Sequence, residues 1–264
     1  MDVNTLLGIK SKLKLKRDTI FFDLETTGRD PIKDRIIQIG VVKIADGEVD
    51  TKSLLINPKI PIPADASEVH GIFDDDVKDS PTFKSYSKSM AEYFKGCDLA
   101  GYNSDSFDIS FLVEAFSRVD IDFPEHGTIM IDALRLERHL NGHKLGEVYA
   151  NRTGKSLENA HDALADTIAT VEVFAAQMDA LENEGITFDS VPELYAGEVD
   201  PDKEFPDFPF NKVYVKEGVI YFNVGKHKDT PLLEIPKDYI DWMIGNKDNP
   251  FPTKTLNYIK GVMA

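Results

Sequence analysis

Two acids stand two residues apart in the apolar run FFDLETTG, as Asp23 and Glu25. Strand periodicity sends positions i and i+2 to one face, so the two carboxylates project together. Acids suit a buried strand poorly, and like charges on one face repel unless a cation lies between them. Oxygen donors of this kind suit Mg2+ or Mn2+. Taken alone, the pair is better explained as the solvated face of an antiparallel strand. A third acid, Asp108, lies in NSDSFDISFL, in the first turns of a predicted helix with Ser104 or Asp105 as its N-cap. An acid there also favours the helix dipole. A fourth, Asp166, closes HDALAD, which opens at His161. Five residues on an ideal helix turn through about 140°, so these two cannot share a face inside it. The spacing predicts His161 just ahead of the helix, over its first turns, with Asp166 pointing inward. That places a base beside a metal ligand. By itself His161 reads as an ordinary surface or core histidine.

Elements must position these groups. Residues 19–24 and 36–44 are apolar and β-branched, and 48–56 follow the turn dipeptide Asp46-Gly47, so a strand and a hairpin are expected. A helix over 82–95, a strand near 97–101, a helix over 105–119 and a strand at 128–131 come next. Helices near 132–139 and 144–151 precede a long one, on which Leu164, Ile168, Val171, Ala175 and Met178 mark an apolar face. An antiparallel meander followed by alternating strands and helices predicts an α/β domain, a mixed sheet flanked by helices. Beyond it, two β-rich runs over 213–222 flank Lys216-Glu217-Gly218, and a helix is expected at 236–244. This is a small α+β module.

Charge divides the chain as well. Of its 264 residues, 46 are acidic and 30 basic, for a net charge of −16. That argues against sequence-independent clamping of duplex DNA, which needs a basic stripe. A carboxylate site filled by divalent metal escapes that objection. Residues 179–210 hold ten acids, one base and four prolines, which reads as a linker. The expected domains are a basic arm at 1–17, a large domain at 18–182, the acidic linker at 183–210 and the module at 211–264. The single cysteine, Cys97, excludes an intramolecular disulfide and reads as a small core residue. His139 and His143 have metal-ligand spacing, but Asn141-Gly142 between them argues for a turn. No secretory signal and no apolar run long enough to span a membrane are read, so the cytoplasm is the expected compartment.

Together the three acidic segments resemble the DEDDh exonucleases, the group that contains the proofreading subunit of bacterial replicative DNA polymerase. FFDLETTG, NSDSFDISFL and HDALAD match in family order, over about residues 18–180. EVHGI at 68–72 and the acidic turn Asp74-Asp75-Asp76 add to the likeness. The resemblance implies an RNase H-like fold and two-metal hydrolysis from the 3′ end of DNA, in proofreading or repair. It implies that Asp23, Glu25, Asp108 and Asp166 hold two Mg2+ or Mn2+ ions and that His161 is the general base. It also implies that Thr26, His70 and Phe107 line the pocket for the terminal nucleotide. Single-stranded or frayed 3′ ends would be the substrate, and a DNA polymerase or repair complex a partner. An exoribonuclease of the same family is the rival substrate class, and a catalytically inactive binding subunit the rival of another kind.

The segment YFNVGKHKDTPLLEIPKDYIDWMI at 221–244 resembles the C-terminal module of exodeoxyribonuclease X-type enzymes. In it, Lys226, His227 and Lys228 read either as phosphate contacts or as a solvated turn. Tyr239 and Trp242, three apart on a helix, are read as module core rather than as a stacking surface. Lys10, Lys12, Lys14, Lys16 and Arg17 read either as a contact for nucleic acid or as a solvated arm, with the arm preferred.

Overall fold

The computed structural model describes residues 13, 15–45, 48–140, 144–157, 160–181, 185–191, 212–246 and 251–263. Asp46-Gly47, Lys10, Lys12, Lys14, the His139 side chain, residues 141–143 and most of the acidic stretch lie outside these. Among the described residues no helix is long and apolar enough to cross a membrane.

Five strands form one sheet: β1 (Thr19–Thr26), β2 (Ile36–Ala45), β3 (Glu48–Leu55), β4 (Asp98–Gly101) and β5 (Met130–Asp132). Their order is β3-β2-β1-β4-β5. The first three run antiparallel as a meander, whereas β4 joins β1, and β5 joins β4, in parallel. Alternation along β1 sorts its side chains between two cores. Ile20, Phe22 and Leu24 pack with α3 (Phe83–Phe94) and α4 (Asp108–Ser117). Phe21 packs on the other face with Val171, Phe174 and Met178 of α7 (Ala163–Leu181). Burying one such phenylalanine is worth about 1.5–3 kcal/mol. Asp23 and Glu25 share the parity of Phe21, so they point to the α7 side, beyond the end of its apolar stripe.

Two short helices, α1 (Ala64–His70) and α2 (Asp74–Val77), follow β3. From sequence alone, Ala64–His70 carries no expected element and Asp74-Asp75-Asp76 reads as an acidic turn, where the structure has these two helices. Between β5 and α7 lie α5 (Ala133–Leu140) and α6 (Leu145–Thr153). The long helix is buried on a second side too: Ala169 and Val173 pack on Val148 and Tyr149 of α6. Cys97 lies in the core beside Phe94.

Both margins of the large domain pack more than composition suggested. Leu13 is buried with Phe21 and Phe174, Arg17 pairs with Asp98 at 3.0 Å, and Lys16 pairs with Asp189. Phe188, inside the acidic stretch, meets Phe174 edge-on at 5.3 Å, and Val191 is fully buried. Acid content hid these two apolar anchors.

The module comprises a hairpin, β6 (Val213–Lys216) and β7 (Val219–Phe222), then α8 (Lys237–Gly245) and α9 (Thr253–Met263). Positive φ at both Glu217 (52°) and Gly218 (76°) makes the two-residue turn that suits hairpin twist. The module has its own core around Val213, Phe222, Ile240, Met243 and Ile259. It joins the large domain through Glu114, a buried acid on α4. The Thr253 amide and hydroxyl donate to its two oxygens at 2.9 and 2.7 Å. The Arg118 guanidinium pairs with the same carboxylate at 3.3 Å and donates to the carbonyls of Pro31 and Ile32, in the loop after β1.

Candidate active site

The site forms where β1 ends and two helices begin. β1 runs parallel to β4 and continues past it, and the site lies at their carboxyl ends, the usual place for a site on such a sheet. Asp23 and Glu25 project there from β1, partly exposed between buried Phe22, Leu24 and Thr26. Asp108 is the first residue of α4, whose N-cap is Phe107 rather than Ser104 or Asp105. The carboxylate of Asp108 accepts the Leu24 amide at 3.0 Å, between the two strand acids. That bond ties α4 to β1 and fixes where the third acid stands.

The fourth acid depends on how close α7 can come to the sheet. Gly40 on β2 lies opposite Asp23. A Cβ at Gly40 would fall 2.3 Å from the Ala163 carbonyl carbon, so only glycine admits the helix start. Gln38, opposite Glu25, accepts the Ala163 amide at 3.2 Å and donates to Asp162 at 3.3 Å. Asp162 also accepts the Ala165 amide at 2.9 Å, as an N-cap does. Asp166 follows one turn on and faces the strand acids. His161 precedes the helix, exposed, with φ of 68°, and its amide donates to Asp166 at 3.1 Å. A left-handed backbone at a non-glycine residue is held only where its surroundings over-determine it.

Electrostatics show the convergence. Burial raises the Asp23 carboxyl well above the usual range, and the charges of Asp108, Asp166, Glu25 and Asp162 add to it. Glu25 is pushed up to about 8 by burial, then by Asp166, Asp108 and Asp162. Asp108 also rises to about 8 through burial, against the backbone amides that it accepts. Asp166 is raised by burial and by Asp162, despite the His161 amide. Among the described residues no lysine or arginine ranks among the groups acting on these four. The Oδ1 atom of Asp166 is buried without a hydrogen-bond partner.

A divalent cation fits this donor set: anionic oxygens, mutual repulsion, an orphaned buried acceptor and, among the described residues, no lysine or arginine acting on them. Among the described residues no three acids or histidines already enclose one point as a metal cage does.

The three expected pocket residues lie nearby in different states. The Thr26 hydroxyl donates to the Gly28 carbonyl at 2.6 Å, leaving only its acceptor lone pairs for a ligand. His70 accepts the Ile72 amide at Nδ1, 3.1 Å away, so its neutral ring carries hydrogen on Nε2. That atom is buried and unpartnered. Burial lowers the His70 pKa, the nearby Thr26 backbone acts in the opposite direction, and the charge of His161 lowers it again. Phe107 packs on Phe111 with ring centroids 4.9 Å apart and stays partly exposed. Sequence reading missed Gln38, Gly40 and Asp162, which place α7. It also missed Asp132, which holds the 103–105 loop through the Asn103 and Asp105 amides at 2.8 and 3.2 Å. HDALAD contains Asp162, so its cap role was open to inspection; the strand partners were not.

Residues 20–174 match the family model described as exonuclease, of the RNase T type. The chain is 33% identical over 190 residues to a PolC-type DNA polymerase III of Caldanaerobacter subterraneus subsp. tengcongensis, covering 70% of this chain and 13% of the relative. It is 33% identical over 176 residues to a DNA polymerase III subunit epsilon-like protein of Rhodobacter capsulatus, covering 64% of this chain and 25% of that one. The chain thus spans a minor part of these relatives. Among solved structures, exonuclease I of E. coli in complex with a dT13 oligonucleotide superposes with a TM-score of 0.59 at 18% identity, over 88% of this chain and 60% of that one. The shared fold is the RNase H-like mixed sheet flanked by helices.

Proposed function

The chain belongs to the exonuclease family, and on that premise we infer that it removes nucleotides from the 3′ end of DNA by metal-dependent hydrolysis. The observation that carries this reading is the meeting of Asp23, Glu25, Asp108 and Asp166, whose only relief from mutual repulsion is protonation or a cation. These four would hold two Mg2+ or Mn2+ ions, which, when bound, supply positive charge to the attacking and leaving oxygens of an in-line displacement. His161 takes the proton of the attacking water. Its left-handed backbone and amide bond to Asp166 keep the ring at the mouth of the site, where a neutral imidazole can act as general base. His70 offers its Nε2 hydrogen, and Thr26 an acceptor oxygen, to the terminal 3′-hydroxyl. Phe107 supplies an apolar surface for the terminal base or sugar.

The unit proposed to do this is the large domain, whose core includes Phe188 and Val191; the module follows it in sequence. Single-stranded or frayed ends suit a site lined by acids, and exonuclease I, which shares the fold, was crystallised with an oligonucleotide. A DNA polymerase or repair complex is the proposed partner, in the cytoplasm, since relatives of the chain are polymerase proteins. The test uses 5′-labelled single-stranded DNA, duplex DNA and RNA, each with chelator and with Mg2+ or Mn2+. A ladder of single-nucleotide steps on DNA, blocked by a 3′-phosphate and absent in chelator, is expected. Full activity in chelator, or cleavage of closed single-stranded circles, overturns the reading, and preference for RNA reassigns the substrate.

A further inference from the structure

The turn after β7 and the helix α8 together build a second constellation, remote from the acids in sequence. The Lys226 ammonium stands 4.8 Å from the centre of the Tyr239 ring. His227 meets the same ring edge-on, 4.5 Å away. Tyr239 and Trp242 lie 5.6 Å apart, tilted by 37°. The row is anchored at one end, because Tyr239 packs against the core of the module. At the other end Trp242 is 48% exposed, which corrects the expectation that it fills that core. Ile240 and Met243 take that place instead. An exposed indole held by a neighbour has a defined orientation and an unused face. Lys226, over the Tyr239 ring, is exposed as well, and so is Lys228 two residues further along the same turn.

Charge narrows the occupant. In a chain of net charge −16, the residues from 211 onward hold eight lysines against six acids. Asp238 and Asp241 lie on α8 with the aromatic residues, so the surface is not a uniform basic stripe. A ligand that stacks and carries a few phosphates fits such a surface. A duplex, whose base faces are hidden, does not, and a purely apolar partner would leave the lysines unmatched.

We propose that Trp242, supported by Tyr239 and served by the exposed lysines of the turn after β7, Lys226 and Lys228, is a stacking platform for single-stranded DNA. The platform rests on the exonuclease reading above for its choice of polymer. One base stacks on the open face of the indole, and neighbouring phosphates meet the two lysines. Stacking of this kind sets affinity by roughly 5–150-fold per base. Two phosphate contacts give a slope of about −1.4 in log affinity against log salt.

Trp242 is the single tryptophan of the chain, so its fluorescence reports this patch alone. Full-length protein in chelator, where no turnover occurs, is titrated with an oligo-dT strand and with a blunt duplex of equal length. Saturable quenching by the strand and little by the duplex are expected. Anisotropy of a labelled strand should show roughly 5–150-fold weaker binding by Trp242→Ala and a smaller loss by Trp242→Phe. Lys226→Ala combined with Lys228→Ala should flatten the salt dependence. Unchanged emission at saturating strand, or wild-type affinity in Trp242→Ala, overturns the platform. The metal-dependent nuclease assay is run in parallel. Turnover without quenching defeats the platform and leaves the nuclease reading intact, whereas quenching without turnover supports the platform and defeats that reading.

Discussion

The acid-lined end of the sheet and the aromatic row of the module are assembled on opposite terms. In the first, burial and neighbouring acids work against the charged forms: Asp23 is raised by burial and by four other acids, and Glu25 is driven to about 8 by burial and by three. In the second, the groups satisfy one another, cation on ring and ring on ring. The row from Lys226 to Trp242 is local and needs only a turn and one helix. The acids run from Asp23 to Asp166 and meet because the fold forces them to, through the Leu24 amide, Gln38 and Gly40. Repulsion held by a scaffold marks a place awaiting a ligand of opposite charge, whereas mutual satisfaction marks a surface complete before any ligand arrives.

The sharpest break in this contrast is removal of one acid. Asp23→Asn should eliminate nearly all turnover while raising the melting temperature of the chelated protein, since it relieves repulsion. Equal melting temperatures for the two proteins in chelator would sink the idea that the acids strain the fold. The same logic predicts a pH effect. Glu25 and Asp108 titrate near 8 when folded, far above their unfolded values. The folded chain therefore binds more protons between about pH 5 and 8, and its stability must fall as pH rises through that window. Calorimetry in chelator should show this decline, and Mg2+ or Mn2+ should reverse it.

His161→Ala comes next, with turnover lower by ~10²–10⁴-fold. Divalent-ion binding, followed by the shift in melting temperature, should persist. A wild-type pH–rate profile in that variant would transfer the base role elsewhere. Gly40→Ala should act more mildly, by pushing the start of α7 off the sheet. Overpacking costs about 1–3 kcal/mol, and displacement of Asp166 should lower turnover more than substrate affinity. Denaturant titration beside kinetics separates the two effects, and an unchanged protein would mean that the helix has room to move.

How much of this could be read from the chain depends on the range over which each feature is specified. Asp23 and Glu25 were legible because period two is a local property of a strand. His161 ahead of a helix, and Asp166 within it, followed from angular arithmetic alone. Gly40 and Gln38 were not legible, because their importance comes from register with β1 and from a helix more than 120 residues later. Trp242 was misread for the opposite reason. A spacing of three fits core and surface equally, and only the packing of Ile240 and Met243 decides between them. The contact of Glu114 with Thr253 spans 139 residues and leaves no mark in either local segment.

That contact has a consequence for the order in which the chain is made. Glu114 leaves the ribosome long before Thr253, and at about 5–20 residues per second the delay is roughly 7–28 s. Through that interval the buried carboxylate has Arg118 but lacks the amide and hydroxyl that complete it. Arg118 meanwhile divides its guanidinium between Glu114 and the carbonyls of the loop after β1. The nascent large domain is therefore held less firmly before Thr253 arrives than after it.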